Sequence, residues 1–272
     1  MKLEKAFTFS DKKNIWRLLI SDSDKLLIET RDIEKREVFF HCLDIKNGKN
    51  ILSNLQLDEK YWVGIEAIHN DLIFFHKFAK PDMPEHKQII AYDINSKKII
   101  WQTENYSFLT FYNNDLYVFK QKYEGRDFFI IDYLTGEIIK ELGSDRSKMN
   151  EIIYKSRELE DFSNYKYPER NIIYENEKYK LIIKNELSGK NSSEDVESLV
   201  FKNLFMFNYY LKSSNNLLDN IFVVYDIELK KKLCNIILNK NLNAFVPDSF
   251  FCYKDNLILL KNRNELKSYK IK

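Results

Sequence analysis

The apolar and polar positions follow one short pattern that returns along the chain: an apolar run, an Asp, two or three polar residues, and a second apolar run. It occurs as FFHCLDIKNGKNIL around Asp44, IIAYDINSKKIIW around Asp93, FFIIDYLTGEII around Asp132 and FVVYDIELKKKLCNII around Asp226, with a degenerate copy, ELKSYKIK, at the end. An Asp at this place accepts hydrogen bonds from the backbone N–H groups of the turn that follows. Gly48 and Gly136 then supply the positive φ that ends a short hairpin loop, and Lys98 and Lys231 stand in for Gly in two other copies. Each copy predicts an antiparallel hairpin.

A second pattern precedes each hairpin: LLISDSDKLLIE, IEAIHNDLIFF, SFLTFYNNDLYVF, SLVFKNLFMF and SFFCYKDNLILL. Each is a strand, a tight polar turn with Asn, Asp or Lys, and another strand. The repeat is therefore four strands. Asp44 to Asp93 is 49 residues, Asp93 to Asp132 is 39, and Asp132 to Asp226 is 94, one repeat plus an insertion. A four-stranded unit of roughly 40–50 residues is the signature of a propeller blade.

These spacings predict an all-β, single-domain chain: a five-bladed β-propeller of four-stranded antiparallel blades over residues 1–272. The blades fall at 15–57, 61–104, 106–142, 196–239 and 242–272. The last copy lacks an outer strand, and the alternating segment 2–9 is expected to supply it and remove two open edges. Residues 143–195 break the repeat. Asn176 is placed to cap a helix running to Gly189, with Tyr179, Ile182, Ile183 and Leu187 on one face. A second helix is expected near 148–159. The insertion reads as a decorated loop packed on the blades or as a lid over one mouth of the ring.

Composition narrows the class. Of 272 residues 44% are apolar and 31% charged, with six Gly and four Pro, which fits a folded core and excludes Pro/Gly-rich disorder. The formal net charge is +2, no electrostatic footprint for nucleic acid or an anionic membrane. The densest basic run, Lys230 to Lys232, is expected to be a solvated turn. No segment approaches the roughly 18 apolar residues of a membrane helix, and MKLEKAFTFSDKKN is neither a secretory signal nor an anchor. Cys42, Cys234 and Cys252 are far apart among apolar residues, the usage of buried thiols in a reducing, cytoplasmic setting.

Tyr92, Asp93, Lys97 and Trp101 give the chain's best copy of the pattern YD-x-x-x-G-x-x-x-W. In this it resembles the quinoprotein-type and related short propeller repeats. The string WVGIEAIHNDL...KPDMPEHKQIIAYD also looks like an uncharacterised bacterial family of single-propeller proteins of this size. The resemblance implies a compact propeller and brings no activity. It does not extend to the quinone-dependent dehydrogenases, which use larger rings and are usually exported.

Candidate chemistry is sparse. The sequence has no Gly-rich phosphate loop, GxSxG elbow or HExxH, and no catalytic residue or cofactor is assigned. His69, His76 and His86 lie in one 18-residue stretch with Glu66, Asp82 and Glu85. This group reads as a metal site of His69, His76 and His86, as a polar ligand-binding loop, or as plain surface histidines. His69 is placed in an exposed turn, His76 at a strand end, and His86 on a loop, Lys80–Lys87, stiffened by Pro81 and Pro84. Arg17 and Glu66 are expected on innermost strands, with Trp16 and Trp62 near them. Arg17, Trp62, Glu66, His76, Asp82 and His86 make the expected binding set. The function that fits is a non-enzymatic binding or scaffold propeller, presenting one face or channel mouth to a protein or a small polar ligand. The alternative is a hydrolytic, carbohydrate-active enzyme with Glu66 as general acid, for which Asp248 is the nearest candidate second carboxylate.

Overall fold

The computed structural model describes residues 1–80, 83–170, 176–193, 195–213 and 215–272. They divide into two compact units, one of Lys13–Ile45 and Lys49–Asp161, the other of Met1–Lys12, Lys46–Gly48 and Phe162–Lys272. The chain opens with β1 (Leu3–Ser10), which belongs to the second unit.

The first unit holds three sheets, each of four strands hydrogen-bonded in chain order. They are β2 (Asn14–Ile20), β3 (Lys25–Asp32), β4 (Glu37–Asp44) and β5 (Asn50–Leu55); β6 (Val63–His69), β7 (Leu72–Lys80), β8 (Met83–Asp93) and β9 (Lys98–Thr103); and β10 (Ser107–Tyr112), β11 (Asp115–Lys122), β12 (Gly125–Ile131) and β13 (Ile138–Gly143). Middle strands read as continuous apolar runs because both their faces are covered. Alternate residues of the second sheet serve opposite neighbours. Ile73, Phe75, Ile90 and Tyr92 join a core with Leu27, Phe40 and Cys42 of the first sheet, and Phe74, Ile89 and Ala91 join Leu116, Val118 and Ile131 of the third. The outer strands β9 and β13 are mostly exposed.

The repeated Asp works as its sequence suggests. Asp93 accepts the N–H groups of Asn95 at 2.9 Å and Ser96 at 3.2 Å, and Asp132 those of Leu134 at 2.7 Å and Thr135 at 2.9 Å. The left-handed position comes four residues after the Asp: Gly48 (φ 72°), Lys97 (φ 58°), Gly136 (φ 76°) and Lys230 (φ 50°). Lys97 and Lys230, not Lys98 and Lys231, thus occupy the Gly place. Gly136 also makes room for a neighbour. A Cβ there would lie 2.8 Å from the ring of Trp101, whose indole N–H donates to the Tyr133 carbonyl at 2.9 Å. The second sheet is pinned to the third by this contact.

Helix α1 (Arg146–Glu158) starts at Asp145, whose carboxylate accepts the Lys148 N–H. Met149 is buried with Tyr117, Phe119, Phe128 and Ile130 of the third sheet, and the Ser156 hydroxyl donates to the Phe111 carbonyl at 2.6 Å.

The second unit contains β14 (Tyr165–Lys166), β15 (Glu169–Arg170), α2 (Glu177–Leu187), β16 (Glu197–Phe201), β17 (Leu204–Lys212), β18 (Leu218–Asp226), β19 (Lys231–Leu242), β20 (Phe250–Tyr253), β21 (Asn256–Lys261) and β22 (Glu265–Ile271). Its sheets run β15-β16-β17-β18-β19 and β1-β22-β21-β20-β14. As expected, the N-terminal strand completes the last repeat, with Leu3 opposite Ile271 and Phe9 opposite Leu266. Phe7 lies against Gly48, in the way that Trp101 lies against Gly136.

The insertion contains both expected helices. Asn176 caps α2 through the Lys178 N–H, and Tyr179, Ile182, Ile183 and Leu187 pack on Phe205, Phe207 and Tyr209. The segment between the helices departs from the loop-or-lid expectation. Tyr165–Lys166 pairs with β20 and Glu169–Arg170 with β16, which gives both sheets a fifth strand at an edge the repeat leaves unpaired. The basic run Lys230 to Lys232 is exposed as expected, and Lys232 Nζ lies 2.6 Å from Glu186 Oε2 on α2. All three cysteines are free. Burial pushes the Cys42 and Cys252 thiols up to about 12, so they behave as small core residues. Among the described residues no helix is long and apolar enough to cross a membrane.

Candidate functional site

Three of the expected residues meet on the second sheet. Glu66 is on β6, His76 on β7 and His86 on β8. Two local irregularities assemble them. Glu66 is the extra residue of a bulge, since Ile65 pairs with Phe75 and Ala67 with Phe74. A bulge takes a residue out of the ladder and re-aims its side chain. The second lies opposite His76: Phe75 pairs with Ile90 and Lys77 with Lys87, and Gln88 takes φ 61°. His86 then falls opposite Phe78.

Glu66 Oε2 lies 2.6 Å from His76 Nδ1 and 2.8 Å from His86 Nδ1. The two imidazoles stack, centroids 3.5 Å apart and planes 7° off parallel, and both stand edge-on to Phe78. The His86 contact is an aligned hydrogen bond, so His86 Nδ1 donates to the carboxylate. The His76 contact is close but off the bonding direction of the ring, and among the described residues neither His76 nitrogen has an aligned partner. His76 is 4% exposed. The carboxylate of Glu66 is 18% exposed and the His86 ring 40%, so the cluster is closed on the His76 side and open on the His86 side.

Burial works against the Glu66 charge, but the close contacts and positive potential of His76 and His86 outweigh it and hold the carboxyl below its ordinary value. Burial also lowers His76, with a further push from His86 and Arg17, and the pull of Glu66 does not reverse it. At neutral pH the pair is therefore an ionised carboxylate beside a neutral, buried imidazole.

The surroundings are aromatic and cationic. Gly64, opposite His76, has to be small: a Cβ there would be 3.1 Å from His76 Cε1 and Nε2 and 3.7 Å from Arg31 Nη2. Arg31, buried on β3, bonds Glu29 at 2.7 Å and the Val63 carbonyl at 2.9 Å. Its guanidinium lies over the rings of Trp16 and Tyr61. Arg17, exposed on β2, donates to the Ile65 carbonyl, beside Glu66. Trp62 meets Phe78 edge-on at 6.2 Å.

Arg17, Trp62, Glu66, His76 and His86 thus share one region of the first unit, and Asp82 lies outside the described residues. Three placements differ from expectation. His76 lies in the middle of β7 and not at a strand end. The segment Lys80–Lys87 is mostly strand, because β7 runs to Lys80 and β8 begins at Met83, and His86 is a ladder residue. His69 is no exposed turn residue: it stacks on Phe111 at 4.3 Å and meets Tyr133 edge-on, and it takes no part in the cluster. Glu66 takes the third place. Arg31 and Glu29 are the participants that the sequence reading missed. The signal was present, since an Arg and a Glu two apart on an apolar strand share a face and call for a partner.

The class defined by strands and site is an all-β protein of five consecutive antiparallel sheets of the propeller-blade type, with one polar cluster on its second sheet. The sequence model of one family, described as "Domain of unknown function (DUF4905)", matches residues 20–101, a span that includes all three cluster residues. No curated protein matches the chain. Among solved structures it is similar to one titled "Crystal structure of the eukaryotic initiation factor", at 10% identity and TM-score 0.32, over 93% of this chain and 50% of that one. It is also similar to "Structure of Dos1 propeller", at 10% identity and TM-score 0.33, over 94% of this chain and 68% of that one. The chain spans half the length of the first. At this level of similarity the blade class rests on the strand pairings.

Proposed function

We propose that this chain is a non-enzymatic binding module that takes up a small polar ligand at Glu66, His76 and His86. The observation that carries the reading is His76: only 4% of it is exposed, and among the described residues neither ring nitrogen has an aligned partner, Nδ1 meeting the Glu66 carboxylate only off its bonding direction. A buried polar group left unpaired costs roughly 1–3 kcal/mol. A ligand entering from the His86 side recovers that cost and finds an ionised carboxylate, with Trp62 and Phe78 as apolar wall. The hydrolytic alternative has less support. Glu66 is engaged by two imidazoles, whereas glycoside hydrolysis needs a second carboxyl group opposite the first. The near-neutral charge balance argues against nucleic acid or an anionic membrane as partner, and three free thiols suit a reducing compartment.

Native mass spectrometry of gently purified protein, with thermal-shift titration against sugars, hydroxy acids and dicarboxylates, tests the reading. The expected result is a retained or added small molecule whose binding is lost in His86→Ala. Ligand binding that His86→Ala leaves unchanged overturns the site, and a turnover abolished by Glu66→Gln overturns the non-enzymatic assignment.

A further inference from the structure

We propose that Glu66, His76 and His86 are the protein ligands of a divalent transition-metal ion, with Zn²⁺ as the reference ion. The inference rests on the reading of this cluster as a binding site and names what holds the ligand there.

One ligand atom from each residue lies within 4.8 Å of the other two. Four-coordinate zinc, with bonds of about 2.0–2.1 Å, sets its ligand atoms roughly 3.3–3.4 Å apart. Glu66 Oε2 stands 2.6 Å and 2.8 Å from the two imidazole Nδ1 atoms, so adopting that geometry needs displacements below about 1 Å. Both Nδ1 atoms reach the same oxygen, hence both rings present the same edge to one point. The parallel stack must open, and the His86 Nδ1 proton must pass to Nε2 or to solvent, before two lone pairs converge on an ion. His86, being 40% exposed, is the ring free to tilt.

His76 is the fixed member. Gly64 lies behind it and Phe78 against its edge, and among the described residues its nitrogens have no aligned partner. A metal ion supplies that partner. Two imidazoles and a carboxylate suit Zn²⁺, Fe²⁺ or Co²⁺ and do not suit Mg²⁺ or Ca²⁺, which take oxygen ligands. Three protein ligands leave a fourth position open toward the exposed side, as in zinc sites that exchange water for another ligand. A carboxylate or hydroxyl of the small polar ligand would enter there.

Protein treated with EDTA and dialysed is titrated calorimetrically with ZnCl2, and separately with CoCl2 while visible d–d absorption is followed. The expected result is one ion per chain, an intense tetrahedral cobalt spectrum, and affinity lowered by at least about 100-fold in His86→Ala and Glu66→Gln. That exceeds the roughly 10–100-fold of losing a residue that merely orients a ligand. His69→Ala should bind as wild type. No stoichiometric uptake, or uptake that both variants leave unchanged, overturns the proposal. His86 is half-exposed, so His86→Ala decides even where Glu66→Gln does not fold. The polar-ligand panel is run on metal-free and zinc-loaded protein. Ligand binding without zinc uptake sinks the metal site and leaves the binding reading standing. Zinc uptake without ligand binding in either state does the reverse.

Discussion

Gly136→Ala tests the contact that pins the second sheet to the third. Two costs follow from the geometry. The residue sits at φ 76°, and the left-handed region costs an L-residue about 1–2 kcal/mol. Lys97 and Lys230 carry that cost at the equivalent turn position, so it does not by itself undo the fold. The second cost is steric. The new Cβ would approach Trp101 Cδ2, Cε3 and Cγ to 2.8, 2.9 and 3.2 Å, and the ring cannot retreat freely because its N–H is bonded to Tyr133. Displacing it costs about 1–3 kcal/mol of overpacking and about 1 kcal/mol of hydrogen bond. The sum is roughly 3–6 kcal/mol. In a Trp101→Ala background only the conformational cost remains, so the double-mutant cycle should return a coupling of about 2–4 kcal/mol. Urea unfolding of the four proteins, followed by far-ultraviolet circular dichroism, measures it. An equal cost of Gly136→Ala in both backgrounds would refute the docking argument.

Two further outcomes are expected. The His76 and His69 values are lowered below 6.5, first by burial, so the unfolded chain binds more protons there and stability falls as pH drops below 6.5 toward the folded values. Glu66, held below 4.5, adds a loss as pH falls below 4.5. His76→Gln should flatten the first part of urea midpoint against pH, and a profile with the wild-type slope in that variant would be the contrary result. Asn208, fully buried, accepts the Glu197 N–H and donates to Glu197 Oε2 and Ser249 Oγ, each at 3.0–3.1 Å. Asn208→Ala should cost roughly 2–4 kcal/mol by leaving those groups unpaired, and a cost under about 1 kcal/mol would mean the network is dispensable.

The repeat was legible because each copy carries its own turn chemistry: Asp93 and Asp132 bond the N–H groups that follow them, and the apolar runs between are strands that neighbouring sheets bury. The outer strand from the N-terminus was legible for a related reason, since a repeat missing one strand calls for a donor and LEKAFTF alternates. The site was half legible. Glu66, His76 and His86 were picked out by proximity in sequence, but pairing depends on register. Two bulges, with Gln88 in a left-handed conformation, bring His86 against His76, and no local pattern in PEHKQII announces them. His69 was grouped with the others by spacing alone. An aromatic pocket of Phe111 and Tyr133 from the third sheet claims it, a long-range contact that the turn sequence HND does not encode. The strands at Tyr165–Lys166 and Glu169–Arg170 were missed because two-residue pairings leave no periodicity.

Comparison of the three sheets of the first unit separates scaffold from site. Each first strand has the same bulge, whose extra residue is Trp16, Glu66 or Leu109. The facing second-strand position is Arg31, His76 or Phe119, opposite Asn14, Gly64 and Ser107. On the third sheet Leu109 and Phe119 fill this frame with apolar side chains in one core cluster. The frame therefore does not need the carboxylate and imidazole of the second sheet. Glu66→Leu with His76→Phe, which puts the third sheet's pair into the second, should fold, because replacing both members of a buried polar pair with apolar groups is near neutral, whereas removing one leaves the other unpaired. A stability change within about 1–2 kcal/mol, or roughly 4 °C in Tm, is expected. The same variant should lose zinc uptake completely. If the double variant instead unfolds the chain, the carboxylate and imidazole are holding the sheet together and the cluster is structural. If it folds and still takes up one ion per chain, Glu66 is not a ligand.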